Sequence, residues 1–468
     1  MMKSEQDRYD ESNVTILIER FEEMLNKSVS AYFDVEEFED IIDFYFSKNN
    51  VRKAYKAVNI ACDQHPNSLV FILRKAQIYA SSNKSLQALE LLKKVEIMDP
   101  LNSELFMTKG AIYSQLKKYE KAIEEYKKAI REAEELDEIY INIAFEYENL
   151  GKFEKAIVYL KKALEINPEN DAALYEIAFC FEHANQLETS VEYYNEFLDK
   201  NPYSSVAWYN LGIAYNLLEL FEKSIDAFDY AIAIDENFSS SYFNKGNSLI
   251  CLERFEEAIT VFEETLEMES SDAYTFYYLG ECNEKLKHYD KAIEYYRKAI
   301  ELDDSIPDAW IGLGSALDDT DKTVEAYKCM QKAVELDSTN AEYVYMLGDL
   351  QLKMEMLPEA IESYEKVSQI EPLNDEIWFD YSDALKKAGE LNKAIDIIQE
   401  GIIVQPENAG LIYRKANYLL LNKKIKEAYE VLETALQMNY KKHCEFLEYD
   451  PSLLRNQQII DLIELHKE

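Results

Sequence analysis

The chain has 468 residues, of which 90 are acidic and 50 are basic, and its formal net charge is −40. This charge argues against nucleic acid or an anionic membrane as the main ligand, because binding to either depends on neutralising phosphates with Lys and Arg. Two interpretations of the charge remain: it keeps a surface-rich molecule in solution, or it attracts a basic partner.

The first segment in chain order divides into a polar stretch and a helix. Residues 1–12 are polar and acidic, and we expect them to be disordered. From Asn13, a plausible N-cap, apolar residues such as Leu17 and Phe21 recur at helical spacing. We therefore predict a capping helix over residues 13–34, with a targeting or partner-binding role as the alternative. The start shows neither a secretory signal nor a membrane-spanning run, so a cytoplasmic location is expected.

Asp34 and Glu37 have the spacing of a capping box and open a long periodic region. Within it, an alanine or serine recurs every 34 residues without slipping, which indicates stacked repeats and not a closed globular core. With this small residue at position 20 of each unit, twelve units cover residues 35–442. The recurring residues are Ala54, Ala88, Ala122, Ala156, Ser190, Ser224, Ala258, Ala292, Ala326, Ala360, Ala394 and Ala428.

The unit at residues 137–170 shows that each repeat is a pair of helices. Ile143 and Tyr147 lie on one helical face, Gly151 interrupts the pattern, and a second apolar series follows. Pro168 ends that series, because the residue before a proline is pushed out of the helical region. Such a short amphipathic pair cannot bury its apolar face alone, so the neighbouring pair must cover it.

The last segment, residues 443–468, falls outside the period. Asp450 and Pro451 open a short helical pattern that carries Leu454 and Ile459. Terminal repeats have one uncovered face, so we predict that this segment supplies C-terminal capping helices.

The residues inside each unit resemble the tetratricopeptide repeat (TPR) family, particularly its long, nearly pure bacterial arrays. The shared pattern has an aromatic residue at position 4, Leu-Gly at 7–8, Tyr at 11, Ala at 20, an aromatic residue at 24, Ala at 27 and Pro at 32. The resemblance covers residues 35–442 and is weakest in the first unit, where Ile42 occupies the small position 8. It implies an all-α superhelical solenoid of stacked antiparallel helix pairs, with a concave groove that usually binds other proteins. The unit at 205–238 shows the pattern in Trp208, Leu211, Gly212, Tyr215, Phe228 and Ala231.

The resemblance also implies that positions 2, 5, 6, 9, 12 and 13 of each first helix face the groove. Large aromatic residues at position 5 suit adaptable protein contact, although the alternative is that they pack along the array. Asparagines at position 6 can both donate to and accept from a peptide backbone, and aspartates favour a ligand with Lys or Arg. The candidate binding residues are Tyr175, Tyr209, Phe243, Tyr277, Tyr345, Phe379 and Tyr413 at position 5, Asn142, Asn210 and Asn244 at position 6, and Asp349, Asp380 and Asp383.

Other sites are disfavoured by the residues present. The carboxylate clamp of TPR co-chaperones needs Lys at position 5, which no unit has, so binding to acidic chaperone tails is not expected. The five histidines are dispersed, no glycine-rich phosphate loop occurs, and the Asp318–Asp321 run lacks the glycine and distant Glu of an EF-hand. We expect no cofactor, no metal and no catalytic activity.

Two hypotheses about function therefore come from the sequence. The first is a non-catalytic scaffold that binds a protein or peptide, including basic segments, in the concave groove. The second is a structural element that associates with itself through its ends or its convex face. The sequence leaves the oligomeric state open, and an enzyme is the weakest reading.

Overall fold

The structure is a computed structural model that describes residues 5–27, 30–48, 50–133, 136–268 and 272–467. In these ranges all regular structure is helical, and consecutive helices pack as antiparallel pairs. The chain forms two compact units, Met1–Glu236 and Asn237–Glu468, which we call unit 1 and unit 2. The predicted all-α fold of stacked helix pairs is confirmed within each unit.

Unit 1 contains thirteen described helices. They are α1 (Glu5–Lys27), α2 (Val35–Ser47), α3 (Val51–Gln64), α4 (Leu69–Ser81), α5 (Ser85–Met98), α6 (Ser103–Gln115), α7 (Tyr119–Ala129), α8 (Leu136–Asn149), α9 (Phe153–Ile166), α10 (Asp171–His183), α11 (Leu187–Lys200), α12 (Ser205–Leu217) and α13 (Phe221–Ile234).

Unit 2 contains fourteen described α-helices and two short 3₁₀ helices, Tyr440–Lys442 and Pro451–Arg455. The α-helices are α14 (Ser239–Cys251), α15 (Phe255–Met268), α16 (Ala273–Lys285), α17 (Tyr289–Leu302), α18 (Pro307–Asp319), α19 (Thr323–Leu336), α20 (Ala341–Lys353), α21 (Leu357–Ile370), α22 (Asp375–Lys387), α23 (Leu391–Val404), α24 (Ala409–Leu421), α25 (Ile425–Met438), α26 (His443–Tyr449) and α27 (Gln457–Leu465).

The first helix of each pair begins at the first residue of a 34-residue repeat, except α8, which begins one residue early. Local capping supports this register at seven of these helices, where the side chain just before the helix accepts a hydrogen bond from its first turn. Asp34 and Glu37 form the capping box expected from the sequence, with Asp34 Oδ1 2.8 Å from the Glu37 backbone nitrogen. The other capping side chains are Asn102, Asn170, Ser204, Asn340, Asn374 and Asn408.

The turn between the two helices of a pair has the same backbone geometry from the second repeat to the twelfth. Its position-15 residue is left-handed in every case, although only Gly151 and Gly389 are glycines. The following N–H closes the turn, as when Lys118 N donates to Tyr113 O at 2.8 Å. The left-handed residues are Asn83, Lys117, Gly151, Asn185, Glu219, Glu253, Lys287, Asp321, Glu355, Gly389 and Lys423.

The helices of a pair approach closely because position 8 is small where position 24 is aromatic. A Cβ added at Gly212 would lie 2.6 Å from Phe228 Cε1, so the ring of Phe228 rests against the backbone of α12. The first repeat departs from this pattern: Ile42 stands at position 8, and Val58, which is smaller than an aromatic residue, stands at position 24. Both of these side chains are fully buried in one cluster.

Both chain ends bury apolar side chains against neighbouring helices. Helix α1 begins at Glu5, inside the segment 1–12 that we expected to be disordered. That expectation stays a prediction, and residues 1–4 lie outside the described part. Phe21 is fully buried, with its ring 5.9 Å from Phe33. At the other end Phe446 and Ile459 are buried. These contacts fit the capping roles, which stay predictions.

Candidate protein-binding groove

In unit 1, the two position-5 tyrosines form a partly exposed pair. The ring of Tyr175 lies 6.2 Å from that of Tyr209 in an edge-on arrangement, and Tyr209 lies 5.9 Å from the buried Phe228. Tyr175 is 42% exposed and Tyr209 is half-buried. The position-5 tyrosines therefore pack along the array and also keep partly exposed ring surface. Ligand binding by these residues stays a prediction.

The position-6 asparagines have three different environments. Asn210 is only 3% exposed, and its Nδ2 donates to the Leu174 carbonyl at 2.9 Å. Asn210 is therefore a buried link between α10 and α12 and is not available to a ligand, contrary to the prediction. Asn244 is half-buried and donates within its own helix, to the Ser240 carbonyl at 2.8 Å.

Asn142 lines an open cavity of about 360 Å³ formed by α4, α6, α7 and α8. Gln77 Nε2 donates to Glu104 Oε1 at 3.1 Å and to Thr108 Oγ1 at 3.4 Å across this cavity. Gln77, Glu104 and Thr108 were not among the residues singled out from the sequence. They occupy positions 9, 2 and 6, so the register assigned to the groove would have found them.

In unit 2, aromatic side chains of α14 and α16 form a contiguous cluster. The Tyr278 ring lies 5.6 Å from Phe243 and 4.9 Å from Tyr277, and these three side chains are half-buried. Tyr274, one turn earlier, is 49% exposed. Tyr274 and Tyr278 were missed by the sequence reasoning, although they occupy positions 2 and 6.

Carboxylates border this aromatic cluster. Burial raises the pKa of the Tyr277 hydroxyl, and the charges of Glu281 and Asp308 raise it further. Burial likewise raises the pKa of the Glu281 carboxyl. Glu284, on the next turn of α16, accepts hydrogen bonds from Tyr296 at 2.6 Å and from Ser315 at 2.7 Å. The aromatic surface thus continues into an acidic one.

The acidic surface extends to α20 and α22. Tyr345 donates to Asp380 Oδ2 and Tyr364 donates to Asp349 Oδ1, each at 2.6 Å. Desolvation by the surrounding protein raises the pKa of the Asp349 carboxyl, and the negative charges of Asp380 and Glu376 raise it further. Within the described ranges, neither Asp349 nor Asp380 has an ion-pair partner. Both carboxylates accept from tyrosines yet keep their negative charge uncompensated.

In the described part of the chain, the run of unpaired carboxylates ends at α24, which supplies Arg414. Asp383 forms an ion pair with Arg414, with Nη1 2.5 Å from Oδ2, and accepts hydrogen bonds from Tyr418 and from Tyr449. Its charge is therefore neutralised inside the protein, contrary to the expectation that it would bind a basic ligand. The guanidinium of Arg414 also lies over the rings of Phe379, at 4.9 Å, and Tyr449, at 3.8 Å.

Tyr413 is a second correction at this end. It is 1% exposed, and its hydroxyl donates to the Asn439 carbonyl at 3.0 Å. Its ring lies 5.9 Å from Phe446 of α26. Tyr413 belongs to the core that joins the last repeat to the C-terminal segment, because that segment covers a face that an isolated repeat would leave open.

The described residues offer neither a cluster of metal ligands nor a membrane-spanning helix. Among them, no three His, Cys, Asp or Glu side chains are grouped as a metal site would need. No helix in the described ranges combines the length and apolar character needed to cross a membrane.

Comparison with known proteins identifies the repeats. Four family models, each described as tetratricopeptide repeat, match between residues 103 and 411. No match covers the first two helix pairs, and the last pair is not matched beyond residue 411, so the assignment of these three pairs to the family stays a prediction. The matched segments are 138–170, 205–238 and 273–305 for one model, 351–411 for the second, 103–135, 239–272 and 307–340 for the third, and 172–204 for the fourth.

Three solved structures illustrate the likeness, and no curated sequence matches the chain. The anaphase-promoting complex hetero-tetramer Cut9–Hcn1 is 15% identical, over 86% of this chain and 92% of that one, with a TM-score of 0.42. YrrB, described as a TPR protein with an unusual peptide-binding site, is 23% identical over 42% and 99%, with a TM-score of 0.35. MamA from Desulfovibrio magneticus RS-1, residue 41 to its end, is 22% identical over 36% and 97%, also with a TM-score of 0.35.

TM-scores this low carry no argument about function. The family models together match more than half of the chain, and seven of the eight matched segments begin within one residue of the start of a 34-residue repeat. The chain belongs to the tetratricopeptide repeat family.

Proposed function

We propose that the chain is a non-catalytic scaffold that binds a protein or peptide on the groove positions of unit 2. The binding surface, which we call the aromatic–acidic face, consists of Tyr274, Tyr277 and Tyr278 with the carboxylates Asp349 and Asp380. The observation that carries the proposal is that partly exposed aromatic rings, and carboxylates without an ion-pair partner in the described part of the chain, share the groove positions of neighbouring first helices.

The face runs through adjacent first helices without a gap in its contacts. Glu284 of α16 accepts from Ser315 of α18 at 2.7 Å. Ser315 and Asp349 of α20 line one open cavity of about 200 Å³. Asp380 of α22 then lies beside Tyr345. An extended peptide could therefore contact several repeats in succession.

The chemistry of the face favours a basic peptide. Tyrosine rings attract Lys and Arg through cation–π contacts worth about 0.5–1 kcal/mol at exposed sites. A carboxylate strengthens a hydrogen bond to Arg or Lys, because the bond is charge-assisted. A bound cation would also relieve the repulsion that raises the pKa of Asp349.

The test compares proteins captured by the intact chain and by two variants. The first variant is Tyr274→Ser with Tyr277→Leu, which removes ring surface and keeps an apolar side chain at position 5. The second is Asp349→Asn with Asp380→Asn, which removes charge and keeps a hydrogen-bond acceptor for each tyrosine. We expect both variants to lose the captured partners, which should be rich in basic segments.

Matched controls lie outside the groove. Tyr203→Ser removes a tyrosine that is 85% exposed in an inter-repeat loop. Asp290→Asn with Glu301→Gln changes the net charge by the same amount on exposed positions of α17. Both controls should keep the partners. Undiminished capture by the two face variants, with folding intact by circular dichroism, would rule out the aromatic–acidic face.

A further inference from the structure

A second cavity, of about 500 Å³, opens in unit 2 between α21, α22 and α23. Its apolar wall includes the buried Tyr381 and Leu385 and the half-buried Leu357, Ile361 and Ile397. These residues occupy positions 7, 11, 17, 21 and 23 of their repeats. None of these is a groove position, so the cavity is separate from the aromatic–acidic face.

The residue at position 14 contributes to the opening of this cavity. Position 14 carries a half-buried Leu or Met in six other repeats, and there the side chain fills the space beside the turn. In this repeat the residue is Ala388, which is exposed and lines the cavity. Because protein interiors are close-packed, losing three side-chain heavy atoms leaves an accessible recess. The filled positions are Leu116, Leu150, Leu218, Leu252, Leu286 and Met354.

The rim of the cavity is acidic. Glu365, Glu390 and Asp396 are exposed around it, and the one basic residue in the lining, Lys393, is 2.5 Å from Glu390. Burial raises the pKa of the Tyr381 hydroxyl to about 12, and the charges of Glu365 and two other glutamates add to the shift. After the Lys393 pair is taken into account, Glu365 and Asp396 remain as negative groups beside an apolar recess.

We propose that this cavity binds a basic segment of a partner protein, with one apolar or aromatic side chain inserted beside Ala388 and flanking Lys or Arg side chains at Glu365 and Asp396. Its volume lies in the range of about 300–1,000 Å³ typical of ligand sites, which is enough for an aromatic anchor. The overall charge of −40 attracts basic proteins and disfavours a second copy of this acidic chain. The proposal does not depend on the proposed groove function, because the two sites share no residue.

The experiment uses the full chain and a fluorescent probe peptide with one Trp between pairs of Lys and Arg. Fluorescence anisotropy measures its binding to the wild type and to Ala388→Trp, which fills the recess at an exposed position. We expect Ala388→Trp and the pair Glu365→Gln with Asp396→Asn each to weaken binding by about tenfold or more. Ala184→Trp makes the same change at position 14 of a repeat in unit 1 and should leave binding unchanged.

Two altered peptides and one variant complete the design. Alanine in place of the probe's Trp, or Glu in place of its basic residues, should abolish binding. The aromatic–acidic face variant Tyr274→Ser with Tyr277→Leu should still bind the probe. If that variant loses the probe while Ala388→Trp keeps it, the peptide binds in the groove and the cavity proposal is wrong.

Three other results would overturn the proposal. They are no binding of the probe to the wild type, equal binding by Ala388→Trp, and equal binding of the acidic peptide. Sedimentation of the chain alone tests the other possible occupant of the cavity, which is a second copy of this chain. A dimer that Ala388→Trp dissociates would show that a second copy fills the cavity.

Discussion

The contact between Gly212 and Phe228 predicts a substitution whose effect changes sign with its background. Replacing Gly212 by Ala adds a Cβ that would lie 2.6, 2.7 and 2.9 Å from three ring atoms of Phe228. Because Phe228 is fully buried, the ring has little room to move. Overpacking of this kind costs about 1–3 kcal/mol, whereas Ala gains about 1 kcal/mol over Gly inside a helix.

The net effect of Gly212→Ala is therefore a destabilisation of up to about 2 kcal/mol. In a Phe228→Ala background the ring is gone and only the helix gain remains. There Gly212→Ala should stabilise by about 1 kcal/mol. The coupling free energy between the two sites then amounts to about 1–3 kcal/mol. The first repeat supports this reasoning, since Ile42 at position 8 is paired with the smaller Val58.

Hydrogen exchange of α12 and α13 is the suitable assay, because stacked repeats open locally and a single global transition would blur the effect. Amide protection in these two helices should fall in Gly212→Ala and rise in the double variant relative to Phe228→Ala alone. Additive effects in the two backgrounds would refute the idea that position 8 is small to make room for the ring at position 24.

Three further outcomes follow from the structure. Gly389 has φ +82 with no atom near an added Cβ, so Gly389→Ala should lower stability by about 1 kcal/mol through backbone strain alone, and an unchanged melting temperature would contradict this. Glu146 is 1% exposed, its Oε2 has no hydrogen-bond partner, and burial raises the pKa of its carboxyl. The folded state therefore binds the Glu146 proton more tightly than the unfolded state does. The protein loses stability as the pH rises from the ordinary pKa range of Glu through this raised pKa. Glu146→Gln should raise the melting temperature at pH 7 and reduce the difference in melting temperature between pH 5 and pH 7. If the wild type and the variant show the same difference, Glu146 does not cause it. Asp383→Asn leaves Arg414 without its carboxylate beside Tyr449. Because both side chains of the pair are partly exposed and Asn keeps a hydrogen-bond acceptor, we expect a loss of about 1–3 kcal/mol, measured as early exchange of α26. Protection like that of the wild type would show that the ion pair does not stabilise the C-terminal segment.

The repeat register was predictable because it depends on local steric and capping rules. Small residues at positions 8 and 20 and caps such as Asn102 specify where each helix begins and how closely a pair packs. These requirements recur every 34 residues, so the packing of one repeat explains that of the others. The cavity beside Ala388 could not have been located in this way, because another repeat also has an alanine, Ala184, at position 14.

The burial and the contacts of individual groove residues were less predictable. The position of a residue in its repeat predicts the helix face from which the side chain projects, but the residues that it contacts belong to other repeats. Asp383 is neutralised by Arg414, which is 31 residues away, and is contacted by Tyr449, which is 66 residues away in the C-terminal segment. Asn210 reaches a carbonyl of the preceding repeat, and Tyr413 is covered by α26. None of these partners follows from the 34-residue period.

Site-specific photocrosslinking tests the proposed binding surface most directly. A benzophenone amino acid placed at Tyr274, which is 49% exposed on the aromatic–acidic face, is compared with the same group at Tyr230, which is 56% exposed on a second helix of unit 1. Irradiation of the full chain in cell extract should join partner proteins to position 274 and not to position 230. Adducts at position 230 alone, or equal adducts at both positions, would contradict binding on this face.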